Sequence, residues 1–344
     1  MKTWRIAIIG CGMISKSHIP AIASLPNAEV AAVCDVIPEK AEAAGKAANC
    51  PCFMGAGDML DRMPDIDVCL IATPTYTHLA LIELCATRGK AVLCEKPIAM
   101  TYGDAVRVRD IIAKAGVPYM TAQVVRFWTG YATLLQMMSE GAFGDIRMSY
   151  FSRCSEPQRW GNDWLYDPVL GGGAMYDMLV HDLDFMDAMF GPASSVYSLA
   201  SKDQTGCWQN VFASVEYQGG ALGVAETSFT MQSGYPFSMY AKVMGSKATA
   251  EWTYKAGYSV NDRDGAVCEL NIWRAGQPPQ RLSPEPYNAY AKETAYFLDC
   301  IEQGKAPQVV TLENSINVMR LVNAVETSAV LGHKVLLQSV TGRP

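Results

Sequence analysis

WRIAIIGCGMIS, residues 4–15, decides how the rest of the chain is read. Trp4 to Ile9 is an apolar, branched run, the pattern of a parallel strand buried on both faces. It runs straight into Gly10-Cys11-Gly12, and Ser15 stands where a GxGxxG turn has its third glycine. Serine is still small enough for a helix to pack closely on the strand. Such a turn brings the backbone up to a pyrophosphate at the N-terminus of the following helix. A second run, Glu29 to Cys34, ends in Asp35. That carboxylate comes about 20 residues after the turn, where an acid accepts from the hydroxyls of an adenosine ribose. Alone, a glycine-rich turn is a weak signal. With a strand before it, a helical pattern after it and an acid closing the next strand, it reads as a dinucleotide site rather than a merely structural turn.

The alternation continues. Pro38 to Ala48 is an Ala/Glu/Lys helix with proline near its start. Asp67 to Thr73 is a buried strand, Thr77 to Arg88 a helix and Ala91 to Lys96 a strand. Thr101 to Ala115 is a helix opened by a Thr101/Asp104 capping box, and Pro118 to Gln123 a last strand. Repeated β–α units of this length predict a doubly wound parallel sheet, with ligands at the carboxyl ends of its strands. That edge collects Gly10, Gly12, Asp35, Thr73, Pro74, Glu95, Lys96 and Gln123.

After Gln123 the texture changes. A helix around 130–140 leads to a strand, Ile146 to Cys154, and then to a polar, aromatic loop, SEPQRWGNDWLYDPVL, at 155–170. GGGAMYDMLVHDLD follows at 171–184, setting Asp177, His181 and Asp184 at i, i+4 and i+7, one face of a helix. Short alternating runs come next, at Trp208–Tyr217, Ala221–Thr230, Phe237–Gly245, Ala248–Tyr254 and Val267–Arg274. Gly219-Gly220 is a hairpin turn between the first two. These runs predict an open antiparallel meander with the His181 helix on one face. Its other face carries Phe, Tyr, Trp and Met, so a second subunit is expected to cover it. Helices at Tyr287–Ile301 and Leu312–Leu331 close the chain.

A lysine at a strand end and an Asp/His pair on a helix are the groups needed to move a proton while a hydride moves elsewhere. Lys96 competes with the reading of an edge lysine reaching for solvent. His181 competes with a satisfied core histidine, and Asp184 is as readily an orienting residue as a substrate contact. A divalent metal on the Asp177/His181/Asp184 face is the lesser alternative, and no metal is expected. His78 is either a helix cap or a neighbour of the cofactor. Trp160, Trp164 and Tyr166 are either loop packing or a stacking surface for a polyol, and Arg126 is either structural or a substrate contact.

In this order and spacing, GCG at 10–12, ATPTYTH at 72–78, GKAVLCEKP at 89–97 and GGGAMYDMLVHDLD at 171–184 resemble the Gfo/Idh/MocA family of NAD(P)-dependent sugar and cyclitol oxidoreductases. The resemblance spans most of the chain. It implies that Gly10, Gly12, Met13 and Ile14 contact a pyrophosphate and that Asp35 contacts the ribose. It also implies that Thr73, Pro74 and His78 line the cofactor site and that Lys96, Asp177 and His181 are catalytic. Thr75 stands where the family often has Asn, and Leu165 where it often has Arg after the tryptophan.

The chain has 344 residues, enough for two packed domains, expected at 1–122 (NAD-binding) and 123–344 (substrate-binding and oligomerising). The fold class expected is an α/β N-terminal Rossmann domain plus an α+β C-terminal domain with an open, mostly antiparallel sheet. Net charge is −6, which argues against nucleic acid or an anionic membrane as partner. No apolar run is long enough to span a bilayer, and no signal peptide is expected ahead of the first strand. The 11 cysteines lack metal-ligand spacing, and several fall in strands, as small hydrophobes do in a reducing, cytoplasmic setting. The activity expected is NAD-dependent hydride transfer from a secondary hydroxyl of a sugar, sugar derivative or cyclitol, in a homodimer or homotetramer. An enzyme that uses NAD transiently on a glycoside without net redox, and an NAD-binding sensor without turnover, are the alternatives. Which of Lys96 and His181 accepts the proton stays open.

Overall fold

The computed structural model describes residues 2–158, 162–260, 262, 265–284 and 288–344, the side chains of 162 and 163 excepted. They form two compact units, Met1–Phe127 with Asn288–Ile316, and Trp128–Tyr287 with Asn317–Pro344.

The first unit begins β1 (Trp4–Ile9), α1 (Ser15–Ala23), β2 (Ala28–Cys34), α2 (Pro38–Ala48), β3 (Cys52–Phe53), α3 (Ala56–Arg62) and β4 (Val68–Ile71). It continues α4 (His78–Thr87), β5 (Ala91–Glu95), α5 (Tyr102–Ala115) and β6 (Tyr119–Ala122). The strands are all parallel, in the order β3-β2-β1-β4-β5-β6. The chain reverses its direction of growth between β1 and β4, which opens a crevice at their carboxyl ends. Strands β1 and β4 are almost wholly buried, as their unbroken apolar runs require. The Thr101 side chain accepts from the Asp104 N–H and starts α5 as its capping box predicts.

Two elements were not legible. β3 has only two residues, too few to show a period, and α3 lies in the Met- and Gly-rich stretch behind it. The helix Ala289–Glu302 also belongs to this unit, whereas a division at 122/123 assigns it to the other. Its apolar face explains the placement. Tyr290 meets the His18 ring of α1 edge-on at 5.1 Å, and Tyr296 lies 5.6 Å from Phe127.

The second unit holds α6 (Thr129–Ser139), β7 (Ile146–Cys154), a π-helical stretch Met175–Leu179 and α7 (Val180–Phe190). Next come β8 (Ala193–Lys202), β9 (Trp208–Tyr217), β10 (Leu222–Ser228), β11 (Ser238–Gly245), β12 (Ala248–Lys255), β13 (Val267–Arg274) and β14 (Gln280–Leu282). The helix Ala289–Glu302 is α8 in chain order, and α9 (Leu312–Leu331) and β15 (Val335–Leu336) follow it. The sheet runs β14-β13-β12-β11-β7-β10-β9-β8-β15 and is antiparallel except where β7 lies parallel to β10. A simple meander is therefore corrected. β7 comes early in the chain yet separates β10 from β11, and alternation along a strand carries no information about its neighbours. The β9–β10 hairpin turns where expected, with Gly220 at φ +85°. β8 escaped the sequence reading because its inward residues include serine. The Ser198 hydroxyl donates to the Val325 carbonyl and its backbone N–H donates to the Ser328 hydroxyl oxygen, both on α9.

Helices α6 and α7 cover one face of this sheet. Tyr131 of α6 meets Trp252 and Phe185 edge-on, each at 4.6 Å.

Candidate active site

The first unit supplies a turn with room above it. Gly10 has φ +99°, and a Cβ there would come 2.5 Å from the Ala72 carbonyl oxygen, so glycine is required where β1 and β4 diverge. A Cβ on Gly12 meets nothing within 4 Å, which leaves open space over the backbone at the start of α1. Met13 is exposed, and Ser15 donates to the Gly12 carbonyl at 2.7 Å and braces the turn. Ile14 stands at the N-cap position of α1. Asp35 Oδ2 accepts from Cys11 N–H at 2.7 Å and Oδ1 from Ile37 N–H at 2.8 Å. Both oxygens are aimed by the backbone, and each keeps a lone pair for a further donor. The features fit a nicotinamide dinucleotide: a helix N-terminus behind an uncrowded turn for the diphosphate, and an acid fixed beside it where an adenosine ribose would lie.

Further along the same edge, Thr73 and Thr77 share a hydroxyl hydrogen bond of 2.6 Å, and Thr77 also contacts the Pro74 carbonyl. Thr75 is buried beside them. His78 does not cap α4. Its Nδ1 lies 2.9 Å from the Pro97 carbonyl oxygen and its Nε2 3.0 Å from that of Thr73. Burial holds its pKa below the usual 6.5, against the raising effect of those two carbonyls. Glu95 is buried, with Oε1 2.7 Å from His18 Nε2 and Oε2 accepting from Lys96 N–H at 3.1 Å. Burial favours its neutral acid, but the His18 hydrogen bond and the electrostatic pull of His18 and Lys96 outweigh it, so the carboxyl lies below its ordinary 4.5. Lys96 follows β5 and is half-buried. Gln123 is buried after β6, and its Oε1 has no hydrogen-bond partner among the described residues, an acceptor left for a bound donor. Arg126 is buried and donates to the Val309 carbonyl at 2.6 Å, tying down the segment between α8 and α9.

These shifts make acid destabilising. The unfolded chain protonates His78 first, so its contribution is present above pH 6.5 and lost as pH falls below that value; that of Glu95 is lost below 4.5 in the same direction. Thermal melts from pH 8 to 4 should show a falling Tm. His78→Gln should flatten the limb just below pH 6.5, and an unchanged slope would exclude this histidine as its origin.

The second unit supplies the helix. Asp167 Oδ1 accepts from Val169 and Leu170 N–H, and its carbonyl accepts from Gly171 and Gly172 N–H, both at 2.9 Å. Gly172 and Gly173 have φ near +70°, and a Cβ on Gly173 would meet the Trp208 carbonyl oxygen at 2.5 Å. The three glycines thus let the chain turn tightly beneath β9. The residues from Asp177 to Asp184 do not form one α-helix, which corrects the regular i, i+4, i+7 face. Asp177 lies in the π-helical stretch Met175–Leu179, and α7 starts only at Val180. A π turn bonds i to i+5, which rotates Asp177 off the line of His181 and Asp184; such turns recur at functional sites. Asp177 is half-buried, His181 nearly buried, and Asp184 fully buried.

Two supports of this helix were missed in the sequence. Arg153 of β7 forms a bidentate pair with buried Asp182, at 3.0 and 2.9 Å, and Tyr131 bonds both. Burial works against the guanidinium charge, but Asp182 and Tyr131 more than offset it. Glu326 of α9 accepts from Tyr176 at 2.5 Å, from Trp208 at 3.0 Å and from Arg343 at 2.8 and 2.9 Å. A charged residue inside the apolar run VHDLDF was the only available signal for Asp182; nothing local marks Glu326 or Arg343.

Tyr166 donates to the Gln158 carbonyl at 2.8 Å, and its ring lies against Phe229. Trp164 packs on the cluster of Leu165, Ala174, Met178 and Phe229. Both hold the loop in place. Trp160 lies outside the described residues. Among the described residues no cluster of three or more His, Cys, Asp or Glu offers a metal site, and no helix is long and apolar enough to cross a membrane.

Residues 4–123 match the model of an oxidoreductase family with an NAD-binding Rossmann fold, and residues 131–251 match the GFO/IDH/MocA C-terminal domain. The chain belongs to the Gfo/Idh/MocA oxidoreductase family. Within the family it is 26% identical to D-apiose dehydrogenase of Paraburkholderia graminis, over 99% of this chain and 91% of that one. It is 28% identical to inositol 2-dehydrogenase of Rhizobium meliloti, over 88% and 90% of the two chains. The fold of the aldose-aldose oxidoreductase of Caulobacter crescentus superposes with a TM-score of 0.85, at 21% identity, over 97% of this chain and 100% of that one.

Proposed function

We propose that this Gfo/Idh/MocA protein is an NAD-dependent dehydrogenase that oxidises a secondary hydroxyl of a sugar, sugar derivative or cyclitol. The observation that carries the nucleotide half is Asp35, both oxygens aimed by backbone N–H groups beside the uncrowded Gly12 turn. Gly10, Gly12, Met13 and Ile14 present backbone to the diphosphate, and Asp35 accepts from the ribose. Thr73, Pro74, His78, Glu95, Lys96 and Gln123 border the same sheet edge. Bound NAD supplies the hydride acceptor. His181 takes the proton of the reacting hydroxyl as general base. Lys96 donates a hydrogen bond to that oxygen and stabilises the negative charge developing on it. Asp177 orients the hydroxyl. The test is a panel of polyols, aldoses and glycosides, with D-apiose and inositol included, scored by NADH absorbance. Stoichiometric NADH from one of them supports the reading. Conversion of a glycoside without net NADH would replace it with the transient-redox alternative.

The sheet's outer face supports self-association. Register places Leu199, Phe212, Leu222 and Met148 on it, with Tyr197 and Trp273, and all six are exposed in the single chain. A face that exposes this many large apolar side chains among its charged ones is best covered by a second copy. Light scattering should give a dimer or tetramer, and Phe212→Asp should dissociate it. A sole 37.4 kDa species before substitution would overturn this. We assign the protein to the cytoplasm because its cysteines are free and mostly buried, with the Cys11 thiol pushed up to about 12 by burial and by Asp35.

A further inference from the structure

We infer that His18 and His78 are positioning residues that pin the backbone on either side of Lys96, an inference that rests on Lys96 acting at the reacting oxygen. His18 is fully buried on α1, and its Nε2 lies 2.7 Å from Glu95 Oε1. An ionised carboxylate only accepts, so Nε2 carries the proton and donates. The other oxygen of Glu95 accepts from the Lys96 N–H at 3.1 Å. One buried chain of hydrogen bonds therefore runs from α1 through Glu95 to the peptide that enters Lys96. On the far side, the His78 ring bridges the Pro97 and Thr73 carbonyls at 2.9 and 3.0 Å. It links the residue after Lys96 to the loop after β4. A neutral ring has one N–H, so it donates to one of these carbonyls at a time. Two of the four histidines in the chain are thus spent on the immediate neighbours of one lysine.

Packing alone does not account for this. A buried His–Glu pair is weak evidence for stability, because apolar residues of similar volume usually do as well. What the pair adds is direction. A lysine has a long, flexible stem, and its ammonium can be placed reproducibly only if its Cα is placed first. Misplacing a reacting group by about 1 Å can cost about 10²-fold in rate. Glu95 and Pro97 are the handles, and His18 and His78 hold them.

The test compares His18→Phe and His78→Phe, each alone and combined with Lys96→Ala, using the best substrate from the panel. His18→Phe keeps a ring against Tyr290, 5.1 Å away in the native protein, and removes only the donor. Each change should lower kcat by about 10–100-fold, the usual effect of losing a support behind a reacting group. The NAD affinity of His18→Phe, read by tryptophan fluorescence without substrate, should change by less than about threefold, since the diphosphate turn is untouched. His18→Gln retains a donor and should recover most of the rate. In the Lys96→Ala background neither histidine change should cost more than about twofold, because residues acting as a unit are not additive. Amide exchange in a peptide spanning 92–99 should rise in His18→Phe even if no turnover can be measured. Losses that multiply in the Lys96→Ala background, or exchange that does not rise, would overturn the clamp while leaving Lys96 in its role. A Lys96→Ala enzyme of near-native rate would instead remove the lysine from the mechanism and the clamp with it.

Discussion

Replacing His181 by alanine should lower kcat by about 10²–10⁴-fold, the range for a lost general base, and Lys96→Ala should do the same through lost charge stabilisation. The two should differ in binding. The residues proposed to hold NAD all lie in the first unit, so His181→Ala should leave NAD affinity unchanged. Lys96 shares the sheet edge with them, so its loss should weaken NAD modestly. The pH dependence of oxidation separates the two as proton acceptors. Turnover rises as a base loses its proton, and a limb between about 6 and 8 is the signature of a histidine base, whereas one above about 9 is that of a lysine or bound water. Steady-state turnover across that range, with cofactor titration of each variant, checks both points. A His181→Ala enzyme of near-native rate on its true substrate would remove histidine from the mechanism.

Asp35→Ser combined with Val36→Arg should move preference from NAD toward NADP. Asp35 is aimed by two backbone donors, and Val36 and Ile37 beside it offer no cation to offset the repulsion of a 2′-phosphate. Val36 is 84% exposed beside it, so an arginine there has room to reach the phosphate. Like charges brought together cost several kcal/mol, and each 1.4 kcal/mol is tenfold, so the ratio of kcat/KM for the two cofactors should shift by about 10²–10³-fold. Tighter binding of NADP than NAD by the unmodified protein would contradict the role given to Asp35.

The local sequence carried what depends on local physics. The buried strands β1, β4 and β5, the turn at Gly10–Gly12, Asp35 at the end of β2 and the capping box at Thr101 follow from runs of apolar residues and from backbone geometry. The alternating strands β9 to β13 show their period because one face is buried and the other is not. The Lys96 and Asp177/His181 stretches could be singled out because their residue types are costly to place without a use.

Tertiary structure decided the rest. The position of β7 between β10 and β11 depends on which edges pair, and no strand records that in its own alternation. β8 hides because its inward serine is satisfied by α9, far away in sequence. The π turn under Asp177 arises where the glycine turn beneath β9 meets α7, and an ideal helical wheel drawn on the sequence assumes it away. Arg153 with Asp182, Glu326 with Arg343 and the grip of His18 on Glu95 are pairings between segments that look unremarkable singly. A buried charge is tolerable only with its partner, and the fold alone determines which partner arrives.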